Sequence, residues 1–303
     1  MKLCAVSVDL DEIPNYFQIH GLEAPAAAST AVYDVAVDRL TAMAKDARMP
    51  LTLFAIGADL GRAEAAARLR LAREGGHEIA NHSLDHRYDL TKLDRAGIEA
   101  QIRGGAEAIH AAVGEMPTGF RAPGYTSTDE VFDVLRDLGV KYDSSVFPSP
   151  AYWAAKTAAI GLIAARGRTS RSVVDRPSVL LAPTRPYFAG APYWRRGEKM
   201  LELPVQVTRG LRLPFIGTTI TLAGPSRARL LAKMCVGEPL VNLELHGIDV
   251  LDAGDGLEAL RPHQPDVRVT ATRKLEALHA VYEVFRKAGY AFVTMREAAE
   301  AFA

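Results

Sequence analysis

Short apolar runs alternate along the chain with longer stretches whose apolar positions recur every three or four residues. This pattern predicts βα units and a mostly parallel sheet. Strands are predicted at Leu3–Val8, Leu51–Ile56, Glu78–Ala80, Gly119–Ala122, Val179–Ala182, Leu201–Val205, Val241–Leu245 and Ala291–Thr294. Helices are predicted at about Thr30–Ala47, Ala63–Glu74, Ala96–Val113, Thr128–Leu138, Ser226–Cys235 and Thr272–Ala288. In the last of these, Leu275, Leu278, Tyr282 and Phe285 share one face and Gly289 follows as a stop. The rhythm loosens from Pro148 to about Met200, where five further prolines accompany aromatics and arginines. That stretch reads as an elaboration, at about 148–200, on a single α/β domain spanning residues 1–303.

Composition narrows the class. With 303 residues, 49% hydrophobic and 24% charged, the chain can bury a large core without disulfides. Two cysteines, Cys4 and Cys235, cannot build a disulfide framework or a four-cysteine zinc site. The balance of 36 Lys+Arg against 36 Asp+Glu argues against nucleic acid as a partner. Residues 150–200 depart from it: nine basic residues stand against Asp175 and Glu198, a local balance of +7. Apolar then basic positions from Tyr152 to Arg166 fit a surface helix, either solvated over the core or in peripheral contact with a membrane. The opening residues, Met1 to Asp11, carry no signal-peptide pattern, so a cytoplasmic location is expected, with any membrane contact at the inner surface.

Four segments carry chemistry. Asp9-Leu10-Asp11 leaves the first strand, and carboxylates two apart on an extended chain face the same side and can converge on one ion. His82 and His86 stand four apart, which on a helical turn presents both imidazoles on one face. With Asp11 they would make a three-ligand site that leaves coordination positions open. His77, at a strand entrance, reads as structural. In Gly119-Phe120-Arg121-Ala122-Pro123-Gly124-Tyr125, Arg121 can orient a carboxylate and the Pro-Gly turn can offer a backbone N–H to an oxyanion. In Leu243-Glu244-Leu245-His246, His246 ends an apolar strand, at the rim of the sheet where a general acid is useful. All four fall at C-terminal ends of predicted strands, the side on which parallel α/β barrels assemble active sites.

In these blocks the sequence resembles the polysaccharide deacetylase superfamily, the NodB homology domain or carbohydrate esterase family 4, over roughly residues 3–146 and 200–298. The resemblance rests on Asp-x-Asp, His-Ser-x-x-His, Arg-x-Pro and Leu-x-Leu-His-Gly, with Tyr142-Asp143-Ser144-Ser145-Val146-Phe147-Pro148 pointing to a bacterial branch. It implies a distorted (β/α) barrel and a divalent metal, zinc first and Co2+, Ni2+ or Fe2+ as alternatives, held by Asp11, His82 and His86. It further implies Asp9 as general base, His246 as general acid, Arg121 orienting Asp9, and the Gly124 N–H at the oxyanion. Asp143 is the candidate supporting acid, or a turn former with Ser144 and Ser145. The family's aromatic after the third-motif proline is displaced here, since Gly124 precedes Tyr125. Trp153 and Trp194 are assigned to the core or to pocket walls. The expected activity is removal of an N-acetyl group from an amino-sugar substrate, which the basic segment would favour being anionic or lipid-linked. Alternatives are a C–N hydrolase acting on N-formyl groups or cyclic amides, a metal-bearing glycan- or lipid-binding protein without turnover, and a non-haem iron site.

Overall fold

The computed structural model describes residues 1–25 and 30–303. In chain order the regular elements are β1 (Leu3–Asp9), α1 (Ile13–Ile19), α2 (Val37–Asp46), β2 (Thr52–Ala55), α3 (Ala63–Glu74), β3 (Glu78–Asn81), α4 (Arg95–Val113), β4 (Gly119–Phe120), α5 (Asp129–Asp137), β5 (Tyr142–Asp143), α6 (Pro150–Ala165), β6 (Tyr187–Ala189), β7 (Met200–Glu202), α7 (Gly217–Cys235), β8 (Leu240–His246), α8 (Ala271–Lys287), β9 (Ala291–Val293) and α9 (Met295–Phe302). A π turn, Val32–Ala36, leads into α2.

The strands form one curled sheet in the order β6-β7-β5-β4-β3-β2-β1-β8, with β9 added on β1. Every pairing is parallel except that of β6 with β7. β1 is buried on both faces along its whole length, as a strand covered by helices on one side and lying inside a barrel on the other must be. Between β7 and β8 the wall is irregular. Val205 N donates to Val146 O at 3.0 Å, and Gln206 N donates to Asn242 O at 3.0 Å, so one extended segment bridges the gap. The result is the distorted (β/α) barrel that the resemblance implies. Its largest apolar cluster lies between β1, β2, β8 and helices α2, α3 and α8, with Val6, Leu53, Leu243, Leu40, Leu69 and Leu278 among its members.

Local chemistry sets the helix limits. Asp94 caps α4 by accepting from Gly97 N at 2.9 Å, and Gly114 ends it in the left-handed region at φ 76°. Thr294 and Glu297 form a capping box on α9.

Three departures from the sequence reading have clear causes. Val179–Ala182 is not a strand but part of a 3-10 turn over Pro177–Leu181. Val179 and Ala182, three apart, are buried together while Leu181 is 70% exposed, the spacing of a tight helix rather than of a strand. α7 begins well before Ser226 because a kink at Gly224 (φ 72°) accommodates Pro225. The short elements β5, β6, α1 and α9 carry too few residues to show a period.

The elaboration at 148–200 contains α6, capped by Ser149, whose Oγ accepts from Tyr152 N at 3.3 Å. Its inward stripe is Trp153, Lys156, Ile160 and Ile163, while Leu162 is 53% exposed. Among the described residues no helix is long and apolar enough to cross a membrane.

Candidate active site

Strands β1, β3, β4 and β8 deliver the four sequence blocks to one end of the barrel. Parallel register places Asp9 beside His246 on one side and beside Phe54 on the other. Asp11 follows β1, His82 follows β3, and Arg121 follows β4 with its N–H donating to Asn81 O at 3.0 Å.

Asp11 Oδ1 lies 3.2 Å from His82 Nε2 and 3.1 Å from His86 Nε2. One ligand atom from each of these three residues falls within 4.8 Å of the other two. The two imidazoles are not presented by a helical turn as their spacing suggested. Residues 82–86 form a loop in which Ser83 (φ 69°) and His86 (φ 51°) adopt left-handed backbone, a costly conformation for residues with a Cβ. Neighbours hold it. Asn81 Oδ1 accepts from Ser83 N at 3.0 Å, Ser83 Oγ accepts from His86 N at 3.1 Å, and Gln101 Oε1 accepts from Asp85 N at 3.0 Å. Gly105 of α4 lets the helix approach, since a Cβ there would lie 2.4 Å from Asn81 Oδ1.

The donor set fits a divalent cation on three observations. His82 Nδ1 lies 2.7 Å from the Arg121 carbonyl, and His86 Nδ1 lies 3.2 Å from Asn15 Oδ1. Both acceptors require N–H at Nδ1, so both Nε2 lone pairs face Asp11, as metal ligation needs. Asp11 Oδ1 and His86 Nε2 are buried without a hydrogen-bond partner. Burial pushes the Asp11 carboxyl up, but the positive charge of His86 and His82 in their protonated forms outweighs burial and holds it well below the usual carboxylate range, a stabilisation of the carboxylate that a bound cation would take over from the neutral imidazoles.

Two flanks border this triad. On one, Arg121 Nη1 donates to Asp9 Oδ1 at 2.6 Å, and Asp9 Oδ2 lies 3.8 Å from His82 Nε2. The Arg121 guanidinium is fully buried, stacks on Phe54 at 4.2 Å, and donates further to Ser7 Oγ, Ser144 Oγ and Ser144 O at 2.8–2.9 Å. On the other flank, His246 Nε2 lies 3.9 Å from Asp11 Oδ2 and 3.5 Å from Tyr125 Oη, while its Nδ1 lies 2.8 Å from Glu244 Oε1. Burial alone would lower the His246 pKa, yet Glu244, with Asp11 and Asp9 behind it, raises it well above the usual imidazole value.

Gly124 sits in the left-handed region at φ 66°, where a side chain would come within 3.0 Å of Tyr88. The Tyr125 N–H is committed to Ala122 O at 3.1 Å. Among the described residues the Gly124 N–H has no such backbone acceptor and is the donor this turn has to offer.

Asp143 does not border the triad. Its carboxylate accepts from Ser145 Oγ at 2.7 Å and Ser145 N at 3.1 Å, and Ser145 Oγ in turn accepts from Ala122 N at 2.8 Å. It therefore holds the turn that carries Arg121 and Gly124, from one layer behind. Trp153 Nε1 donates to Asp175 O at 2.8 Å beside the Tyr125 cleft. Trp194 packs on the cluster around Phe120 and Phe132 with Arg195 over its ring. His77 Nδ1 accepts from Leu51 N at 3.0 Å, a structural role. Within the basic segment, Arg185 pairs with Glu238 and Lys199 with Asp133, which matches two of its nine basic residues with carboxylates outside it.

Two contributors escaped the sequence reading. Glu244 left a signal, a carboxylate alternating with leucines two residues before His246 and so on the same strand face. Asn15 left none, because only the placement of α1 brings it to His86.

A family model described as polysaccharide deacetylase matches residues 31–142. A peptidoglycan deacetylase of Helicobacter pylori is 24% identical over 147 residues, 48% of this chain and 49% of that one, so the match spans about half the relative's length. Among solved structures, a candidate polysaccharide deacetylase from Mycobacterium smegmatis superposes with TM-score 0.61 at 19% identity, covering 99% of this chain and 90% of that one. A CE4-family pseudoenzyme from Bacillus anthracis superposes with TM-score 0.52 at 12% identity, covering 98% of this chain and 65% of that one. These superpositions bear on the fold alone. The matched family segment covers residues 31–142, and the four motif blocks meet at one end of the barrel in the order the resemblance implies, so in that segment and in this site the chain is similar to the polysaccharide deacetylase superfamily.

Proposed function

We propose that the protein is a divalent-metal-dependent hydrolase that removes an N-acetyl group from an amino sugar. The observation that carries this reading is the Asp11-His82-His86 triad flanked by an Arg121-bound Asp9 on one side and a Glu244-bound His246 on the other. A binding site without turnover would need neither flank. When bound, the metal would supply Lewis acidity toward the acyl carbonyl and toward water, and two imidazoles with one carboxylate suit zinc, with Co2+, Ni2+ or Fe2+ also accommodated.

The chain's own residues divide the remaining work. Asp9 accepts the proton of the attacking water, with Arg121 fixing which oxygen is free to do so, since Oδ1 is already engaged. The Gly124 N–H donates to the developing oxyanion. His246 protonates the departing amine, and Glu244 keeps that imidazole charged and oriented. The direct test is release of acetate from N-acetylated amino sugars by the zinc-reconstituted full chain, with formate monitored alongside. Formate without acetate would move the assignment to N-formyl groups. Release of neither, with metal bound, would sink hydrolysis and favour a binding protein.

Glu244 yields a second expected outcome. His246 must carry a proton to act as an acid, so kcat/KM falls as pH rises through its pKa. Removing the largest raising interaction by Glu244→Gln should move that descending alkaline limb to lower pH and leave the ascending limb in place. An unmoved alkaline limb in the kcat/KM profile would remove His246 and Glu244 as the acid pair.

A further inference from the structure

We infer that Lys156 makes the enzyme selective for amino sugars that carry an anionic substituent, a carboxylate or a phosphate, next to the acyl group. The inference rests on the deacetylase reading above and names the substrate class of that same site. It begins from where α6 puts one ammonium. Lys156 Nζ donates to Gly124 O at 2.9 Å, on the turn whose Gly124 N–H is proposed above as the oxyanion donor. It lies 3.4 Å from where a Cβ of Gly124 would stand, and the same point is 3.0 Å from Tyr88 Cδ1. Tyr88 packs edge-on against His86, with ring centroids 4.8 Å apart. The ammonium is thus reached from the triad through one side chain and one glycine, and it lies beside the closely packed rings of Tyr125, Phe147 and Tyr152.

The fold answers this charge only in part: Lys156 Nζ lies 5.7 Å from the Tyr152 ring centroid but forms no ion pair among the described residues. An ammonium has three donors, and Gly124 O is its hydrogen-bond acceptor among the described residues. Asp175 is the nearest carboxylate with an influence on it, but Asp175 is engaged elsewhere, accepting from Tyr193 Oη at 2.9 Å and Arg176 N at 2.6 Å. Burial lowers the Lys156 pKa to about 8, with Asp175 opposing only in part, so the desolvation of this cation is left without a full counter-charge. Elsewhere on the segment, Arg185 and Lys199 do have carboxylate partners.

Around the triad the charges are already matched, Asp9 by Arg121 and Glu244 by His246. An anionic substituent pointing toward Gly124 and α6 would instead meet an ammonium that forms no ion pair among the described residues. Lys156 would then supply a charge-assisted hydrogen bond from a partly desolvated donor.

The test compares N-acetylglucosamine with two derivatives, its 3-O-(1-carboxyethyl) ether and its 6-phosphate, on the full chain. Wild type should favour at least one charged sugar in kcat/KM, carried mainly in KM. Which derivative is favoured separates carboxylate from phosphate. Lys156→Gln and Lys156→Met should cut the ratio of charged to neutral kcat/KM by roughly 10- to 100-fold, and Lys156→Arg should retain most of it. An equal loss on neutral and charged sugars would make Lys156 only a strut for the Gly124 turn and overturn the inference. So would equal wild-type rates on all three. Calorimetric titration of the same sugars keeps the two readings apart. Absence of any acetate release would sink the deacetylase reading, while tighter binding of a charged sugar that Lys156→Gln abolishes would still uphold the anion site.

Discussion

Chelation of divalent metal is expected to abolish acetate release and to lower the thermal midpoint by roughly 5–10 °C relative to protein saturated with zinc at about 100 times its Kd. The size follows from linkage. A ligand held only by the folded state at that excess adds about 2.7 kcal/mol, and each kcal/mol moves the midpoint of a chain this large by about 2–4 °C. His82→Ala should lose both the midpoint response and the activity, because it removes an Nε2 that already faces Asp11 Oδ1 at 3.2 Å. Scanning calorimetry of wild type and His82→Ala, each with zinc and with chelator, measures it. A midpoint that ignores zinc in the wild type would end the metal reading, whatever the sequence motifs suggest.

Asp9→Asn should lower kcat by roughly 10²- to 10⁴-fold, the range removed with a general base, while the zinc-dependent shift in midpoint survives. The two readouts separate because Asp9 stands beside the triad rather than in it. The substitution also acts on stability. Arg121 is fully buried with Asp9 as its ion-pair partner, and stripping a buried charge of its partner costs about 3–5 kcal/mol. Asparagine still offers an oxygen to Arg121 Nη1, so the loss should fall below that range, and turnover must be measured beneath the variant's own midpoint. Undiminished kcat in Asp9→Asn would remove Asp9 as the base. The comparison matters because a solved CE4-family chain from Bacillus anthracis with this fold is a pseudoenzyme, and a mutant of it has restored enzymatic activity. The barrel alone does not decide turnover.

Read along the chain, periodicity alone located α3 at its observed limits and set β1, β3 and β8 within a residue or so of theirs. β1 and β8 are legible as mainly apolar runs buried on both faces, and α3 because its buried residues return at helical spacing. The strand expected at Val179–Ala182 failed for the same reason that makes it instructive: four mostly apolar residues carry no period, and Pro177 and Pro183 on either side permit a tight turn as readily as a strand. The spacing of His82 and His86 suggested a helical turn, but neighbours distant in sequence, Gln101 and Gly105 of α4, stabilise a left-handed loop there instead.

What the sequence determined by itself was the chemistry on offer: two carboxylates, two imidazoles, an arginine and a histidine, each at the end of a strand, and hence at one mouth of a parallel barrel. Their division of labour came from tertiary structure. Register between β1 and β8 set Asp9 beside His246, the packing of α1 brought Asn15 to His86, and the loop behind β5 gave Arg121 its Ser144 partner. Lys156 entered only because α6 lies across that mouth. Identity and spacing are local properties of a chain, whereas proton position, charge pairing and access depend on groups that meet only when the sheet curls and the helices close over it.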